Sequence, residues 1–323
     1  MNYKEEEKRI ILLVGPTCVG KSDIAIELAR ELKTDIISAD SRQVYRGMDI
    51  GTAKPPKNML AVVRHYLIDI IDPDEPFSAG AYKRLADESI NGMFKKGRIP
   101  IIAGGTGLYI KSVTSGLWSG PEADWHLRNK LKNEEEEHGD GYLHNRLSSI
   151  DPESAEKIHP HDIIKIIRAL EVYYIKGKPL SYFHKEHRFE VSLYNFVMIG
   201  LRRERGDLYK RIEKRVDRMI DDGLIEEVRG LMDNGYDESL PSMHGLGYKQ
   251  IIGYLKGRWD IDEAITMLKI DSKRYAKRQF TWFNKRKEVI WIDLTDKEGI
   301  EEGFQKTMIE IIGSNKQERS KKW

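Results

Sequence analysis

IILLVGPTCVGKS, residues Ile10–Ser22, decides the fold. An apolar run from Ile10 to Val14 reads as a buried strand. GPTCVGKS follows, and from Lys21 to Leu32 the apolar residues Ile24, Leu28 and Leu32 recur on one helical face. Strand, glycine-bounded turn and helix are the context that a phosphate-binding P-loop requires. The glycines let backbone N–H groups turn toward an anion, and the helix N-terminus adds partial positive charge. Gly15, Pro16, Thr17, Cys18, Val19, Gly20, Lys21 and Ser22 are therefore the candidate phosphate-binding residues. Lys21 is expected to reach the terminal phosphates, and Ser22 to hold Mg²⁺.

Working outward, further short apolar runs read as strands: Ile36–Ala39, Tyr66–Ile71, Ile99–Ala103, Phe196–Leu201 and Val289–Ile292. Strands alternating with helices predict an α/β fold, a P-loop NTPase-like parallel sheet flanked by helices. The alternation stops between Pro121 and Glu190. There Leu127, Leu131, Leu143, Leu147, Ile163, Ile164, Ile167 and Leu170 carry helical spacing, which predicts an all-helical insertion domain. The expected organisation is a catalytic core over 9–118 and 191–312, an insertion over 119–190 and a flexible tail over 313–323. Asp207–Lys287 is expected to be mostly helical, and the run Glu134–Glu137 to be a solvated helix face.

Composition sets outer bounds. The chain has 323 residues, 40% hydrophobic and 33% charged, with a net charge of +2, so partners must be read from local clusters. A single cysteine, Cys18, excludes an internal disulfide and a cysteine-rich zinc site, and fits a cytoplasmic protein. No apolar run is long enough for a membrane span, and the N-terminus lacks a signal-peptide pattern. Seven of the nine histidines fall between His126 and His187, without a regular ligand spacing, so surface or RNA-facing roles are expected for them. Lys269–Lys287 holds eight Lys or Arg and one acid, Asp271. On a helix, Leu268, Tyr275 and Trp282 face the core, while Arg274, Arg278 and Lys285 share a face suited to phosphates.

A P-loop does not say what becomes of the phosphate. Among the strand ends, IISAD finishes on Asp40, whereas IIAGGTG carries no acid. Asp40 is thus the acid best placed opposite the loop, as a turn cap, a water-mediated Mg²⁺ ligand or a general base. DSRQVYRGMDIGTAKP, Asp40–Pro55, resembles the signature of the tRNA dimethylallyltransferases, also called tRNA isopentenyltransferases. IIAGGTGLYIKS (Ile101–Ser112), IHPHDIIKIIRALEVYYIKGKPLS (Ile158–Ser181), GLGYKQ (Gly245–Gln250) and KRYAKRQFTWF (Lys273–Phe283) are similar to later family segments, in the same order.

The resemblance implies that the P-loop holds the diphosphate of dimethylallyl diphosphate. The prenyl group would move to N6 of the adenosine 3′-adjacent to the anticodon of tRNAs reading codons that begin with U. Asp40 corresponds to the general base, Thr106 to the threonine that assists the leaving group, and Arg215 to an arginine that stabilises it. From sequence alone Arg215 reads rather as a solvent-facing helix charge, since Arg211, Arg215 and Arg218 share a face. The target base must be flipped from its stack. The resemblance places tRNA contacts at Asp40, Ser41, Arg42, Gln43, Thr106, Arg128, Ile164, Lys165, Ile166, Ile167, Arg168, His244, Gly245, Leu246, Gly247, Tyr248, Lys249, Arg274 and Arg278. Partners are then the tRNA anticodon stem-loop and dimethylallyl diphosphate, with Mg²⁺ as cofactor, no membrane, and a monomeric chain. A P-loop small-molecule kinase, an adenylate isopentenyltransferase and a non-catalytic RNA-binding protein remain as alternatives. The first explains neither the helical insertion nor the basic helix, the second needs no RNA surface, and the third leaves Lys21 and Asp40 idle.

Overall fold

The computed structural model describes residues 9–118, 120–187, 194–295 and 302–311. It contains a six-stranded sheet of β1 (Arg9–Val14), β2 (Ile36–Ala39), β3 (His65–Tyr66), β4 (Ile101–Gly104), β5 (Asn195–Arg202) and β6 (Val289–Asp293), ordered β3-β2-β4-β1-β5-β6. Every pairing is parallel. The helices are α1 (Lys21–Glu31), α2 (Lys57–Val62), α3 (Ala79–Lys95), α4 (Gly107–Thr114), α5 (Trp125–His138), α6 (Tyr142–Ile150), α7 (Pro152–Lys157), α8 (Ile163–Lys176), α9 (Leu180–His187), α10 (Arg205–Asp221), α11 (Leu224–Asp233), α12 (Tyr248–Leu255) and α13 (Ile261–Asn284). Residues 302–311 are also helical.

The chain divides into two compact units, one of 1–114 with 193–323 and one of Ser115–Ser192. The sequence-expected ends of the insertion at 119 and 190, and the tail 313–323, lie outside the described residues.

The first unit is built on β1, whose apolar run is buried on both faces, as a central parallel strand demands. Alternate side chains leave on opposite sides. Ile11 and Leu13 pack with α1 and α10 through Ile24, Leu28, Leu208 and Ile212. Ile10, Leu12 and Val14 pack with α3, α4 and α13 through Tyr82, Ile90, Ile110 and Phe283. A third, helical cluster joins Val44 and Met48 to Leu224, Val228, Tyr248, Ile251 and Leu268.

One strand departs from expectation. The sequence predicts an extended Tyr66–Ile71, but β3 ends at Tyr66. Leu67 and Asp69 both take positive φ, 64° and 54°, which breaks the ladder. The chain after them is held by other partners: Asp69 and Ile70 donate to the carbonyls of Gln43 and Val44 at 3.1 and 2.8 Å.

The second unit is five helices, α5–α9, around Leu131, Leu143, Leu147, Ile166, Ile167 and Leu170. The expected apolar positions fall in this cluster except Ile164, which is 83% exposed. The acidic run Glu134–Glu137 is not uniformly solvated. Glu135 is buried, because its carboxylate accepts the Gly141 and Leu143 N–H groups, each at 2.7 Å, at the start of α6.

Candidate active site

The loop from Gly15 to Ser22 lies at the carboxyl end of β1, leading into α1. Gly15 has φ 145°, and a Cβ there would come within 2.5 Å of the Leu201 carbonyl oxygen, so only glycine lets β5 and the loop approach this closely. Gly20, at φ 112°, caps α1 and leaves its first N–H groups directed at the loop. Lys21 Nζ donates to the carbonyls of Gly15 and Pro16 at 3.0 and 2.6 Å. Burial, then the nearby Arg215 guanidinium, pull its ammonium down to about 8, against the opposing influence of Asp40 and Cys18.

Arginines grip the outside of this loop. Arg215 Nη1 donates to Thr17 Oγ1 at 3.0 Å, Arg211 Nε to the Cys18 carbonyl at 2.9 Å, and Arg203 Nε to the Val19 carbonyl at 3.0 Å. Arg211 and Arg215 are one helical turn apart on α10, so their common aim follows from i, i+4 geometry. Arg218 is exposed. The arginine cluster concentrates positive charge at the loop, which suits an anion. Replacing Arg215 with Ala should weaken binding of inorganic diphosphate about tenfold or more, the loss of one charge-assisted hydrogen bond. Calorimetric titration reads this, and an unchanged affinity would leave Arg215 only a loop-holding role.

The sheet order puts β4 between β1 and β2. The Gly104–Gly107 turn therefore sits between the P-loop and Asp40. Thr106 N donates to the Ala39 carbonyl at 3.1 Å, and Thr106 Oγ1 accepts from Ser41 N at 3.1 Å. Asp40 Oδ1 accepts the Arg42 and Gln43 amides at 2.8 and 3.4 Å, so the carboxylate also caps its own turn. Gln43 spans Ser38 Oγ at 3.2 Å and the Thr52 and Ala53 carbonyls at 3.4 and 3.3 Å. Arg42 Nη1 reaches the Pro241 carbonyl at 2.8 Å and ties this turn to the segment around His244.

Several neighbours of Asp40 were not marked by the sequence. Burial and then Asp40 push the Tyr275 phenol up to about 12, against the opposing influence of Arg42 and Thr106. Tyr109, raised by burial and by Tyr45 and Asp40, stacks on Tyr82 at 3.9 Å. Glu227 on α11 accepts the N–H groups of Asp49, Ile50 and Gly51 at 2.9, 2.7 and 3.1 Å and the Tyr248 hydroxyl at 2.7 Å. It thereby pins the loop whose later carbonyls hold Gln43. No local pattern marks Glu227, because its three backbone partners are 176 to 178 residues distant.

The expected RNA contacts differ in exposure. Tyr248 and Ile166 are 0% exposed and Ile167 is buried, so these three side chains face the interior, and Gly245 and Gly247 are buried backbone. Tyr248 is held by Glu227, and the isoleucines fill the core of the second unit. Leu246 is half-buried, while His244 and Lys249 are exposed. His244 shares a hydrogen bond with the Glu238 carbonyl at 2.7 Å, and Lys249 pairs with Asp271 at 2.7 Å.

On α13, Arg274 lies 3.5 Å from Asp271, and Arg278 stands over the Tyr275 ring. The buried seam of that helix is Ala264, Leu268, Ala276, Gln279 and Phe283. Tyr275 and Trp282 flank it, rather than forming its centre as the seven-residue spacing suggested. In the second unit, Arg128 makes two bonds of 2.8 Å to the Glu171 carboxylate, and Arg168 pairs with the same group. Lys165 pairs with Asp162. Among the described residues no three His, Cys, Asp or Glu side chains come together as a metal site. No helix among them is long and apolar enough to cross a membrane.

A parallel sheet with a P-loop on its central strand and a carboxylate across the same edge defines an α/β phosphate-binding protein of the P-loop class. The family model described as IPP transferase matches residues 43–286, and the chain belongs to that family. It is similar to the tRNA dimethylallyltransferase of Acetivibrio thermocellus, 49% identical over 285 residues, which cover 88% of this chain and 91% of that protein. The tRNA dimethylallyltransferase of Halothermothrix orenii is 46% identical, with 91% and 90% covered. Among solved structures, the full-length tRNA isopentenylpyrophosphate transferase of Bacillus halodurans superposes with a TM-score of 0.71 at 41% identity, covering 97% of this chain and all of that one. A eukaryotic dimethylallyltransferase acting on tRNA gives a TM-score of 0.77 at 26% identity, with 90% of this chain and 75% of that one covered.

Proposed function

We propose that the protein, acting as a monomer in the cytoplasm, moves the dimethylallyl group of dimethylallyl diphosphate to N6 of the adenosine 3′-adjacent to the anticodon. Its substrates are tRNAs reading codons that begin with U. The observation that carries this reading is the row of Asp40, Thr106 and P-loop along one sheet edge, with Thr106 Oγ1 bonded to Ser41 N next to Asp40. In the reaction the N6–C1 bond forms, the C1–O bond breaks, and diphosphate leaves with the electron pair. Asp40 takes the N6 proton, which restores nucleophilicity to an otherwise delocalised lone pair. Thr106 donates to the bridging oxygen, while Lys21, Arg215 and the loop amides stabilise the growing charge.

The donor set suits a hard divalent cation such as Mg²⁺. Ser22 is exposed at the first turn of α1 and its hydroxyl would hold the ion, while Asp40 is kept for the N6 proton. With so few protein oxygens, the diphosphate and water would supply the remaining ligands. The ion would neutralise leaving-group charge. RNA recognition rests on Ser41, Arg42 and Gln43 beside the base, on Arg274, Arg278, His244, Leu246 and Lys249 in the first unit, and on Arg128, Ile164, Lys165 and Arg168 in the second. Arg128 and Arg168 are tied to Glu171, so they act as a braced pair rather than as free cations.

Incubation with Mg²⁺, dimethylallyl diphosphate and either an A-rich anticodon stem-loop or AMP tests the reading. Prenylated RNA with free diphosphate is expected. Product on AMP alone would select an adenylate isopentenyltransferase, and transfer of an ATP γ-phosphate to a small molecule a kinase. The Lys21 ammonium adds a pH signature. Its ordinary value of 10.5 is lowered to about 8, and a bound diphosphate favours the charged form. Binding therefore takes up a proton above that value. Relative to Lys21→Met, whose profile carries the protonation of diphosphate itself, the affinity should be flat below about pH 8 and fall by up to about tenfold per unit above it. Titrations across this range on wild type and Lys21→Met check it, and a flat ratio between the two would remove Lys21 from the anion.

A further inference from the structure

Gln279 is the side chain of the basic helix that enters the diphosphate site. It is 6% exposed, and its carboxamide is held at both ends. Oε1 accepts from Thr17 N at 2.9 Å, and Nε2 donates to the Gly105 carbonyl at 3.0 Å. These partners fix the amide's orientation, since only its oxygen can face an N–H and only its NH₂ a carbonyl. The fit leaves no slack: a Cβ on Gly105 would stand 2.1 Å from Nε2. One side chain thus ties the P-loop to the turn that carries Thr106.

The same helix presents its cations outward on the neighbouring turns. Lower down, Lys269 and Lys273 are paired with Asp217 and Glu213 of α10. Arg274 leans on Asp271 at 3.5 Å and is exposed. Lys277 and Arg278 are exposed and have no carboxylate partner among the described residues. An anion-seeking face and the amide clamp therefore share one rigid helix, with Arg278 directly preceding Gln279.

We propose that Gln279 is a positioning residue that couples RNA on the outer face of α13 to the diphosphate site. Phosphates engaging Arg274, Lys277 and Arg278 set the helix, and the amide carries that setting to the P-loop and to the Thr106 turn together. This rests on the prenyl-transfer reading of the site. Linkage makes the coupling reciprocal: RNA tightens diphosphate binding and diphosphate tightens RNA binding by one factor.

Calorimetric titration of inorganic diphosphate with Mg²⁺, with and without an anticodon stem-loop RNA, tests it. In the wild type the RNA should tighten diphosphate about tenfold, and the reverse titration should give the same factor. Gln279→Met fills the same space without either hydrogen bond. In it the enhancement should vanish while affinity for RNA alone stays at the wild-type value. Should Gln279→Met fail to fold, Gln279→Asn, which keeps the amide but is one methylene short of both partners, carries the same test. A merely structural residue would lower the melting temperature and leave the enhancement intact, and that result would overturn the proposal. So would a wild type in which RNA leaves diphosphate affinity unchanged. RNA binding in the same titration, with prenyl transfer scored separately, shows whether the assigned reaction fails as well.

Discussion

Asp40→Asn should keep its turn and lose the reaction. The substitution is isosteric, and an asparagine carbonyl can still accept the Arg42 amide that Asp40 Oδ1 holds at 2.8 Å. It cannot take a proton from N6. The turnover number should therefore fall by about 10² to 10⁴, the range for removing a positioned general base. Affinity for RNA and for inorganic diphosphate should stay at wild-type values, because neither the cap nor the Arg215–Thr17 contact is disturbed. Single-turnover transfer to an anticodon stem-loop, alongside the two binding titrations, separates the terms. Turnover near wild type would reduce Asp40 to the turn cap that its hydrogen bonds also describe.

Glu171→Leu should cost the second unit most of its stability. The Glu171 side chain is fully buried, and its carboxylate takes two bonds from Arg128, one from Arg168 and one from Asp124 N. Removal leaves two guanidinium groups facing each other and an amide without its acceptor. Breaking a buried ion pair costs about 3–5 kcal/mol, and the partial exposure of both arginines argues for about 3. Calorimetric unfolding and proteolysis of the α5–α9 region should show the loss, and transfer to RNA should fall with it. The P-loop lies in the other unit, so diphosphate binding should persist. A variant that melts like the wild type would make the ion triad energetically neutral.

Acid should act in the same direction. Burial works against the Glu171 charge, but the Arg128 and Arg168 hydrogen bonds and the Asp124 N–H outweigh it and hold the carboxyl below its ordinary 4.5. A depressed carboxylate stabilises the fold above its unfolded value. That contribution is lost as pH falls through the lower, folded value.

The IPP transferase assignment was legible because its signals are local and ordered. IILLVGPTCVGKS states strand, loop and helix within one window, and DSRQVYRGMDIGTAKP with four later segments fixes the family. The Tyr66–Ile71 strand failed for a local reason that pattern does not carry. Residues of ordinary β propensity took positive φ at Leu67 and Asp69, because Gln43 and Val44 offered other hydrogen-bond partners. Ile166 and Ile167 matched family contact positions yet turned inward, since helical periodicity puts Ile166 and Leu170 on the core side of α8.

By itself the sequence determined the other strands, the phosphate-loop pattern, the family and the identity of Asp40, Thr106 and Arg215 as candidates. Each of these depends on residues within a turn or a short motif of one another. The tertiary structure decided the strand order that sets the Thr106 turn between Asp40 and the P-loop. It also decided that Arg203 and Arg211 join Arg215, that Glu227 pins the Asp49–Gly51 loop, and that Gln279 joins loop to turn. The Gln279–Thr17 bond closes over 262 residues. Hydrogen bonding selects a partner by position and direction in space, and over that separation only the packed sheet and helices determine which donor meets which acceptor.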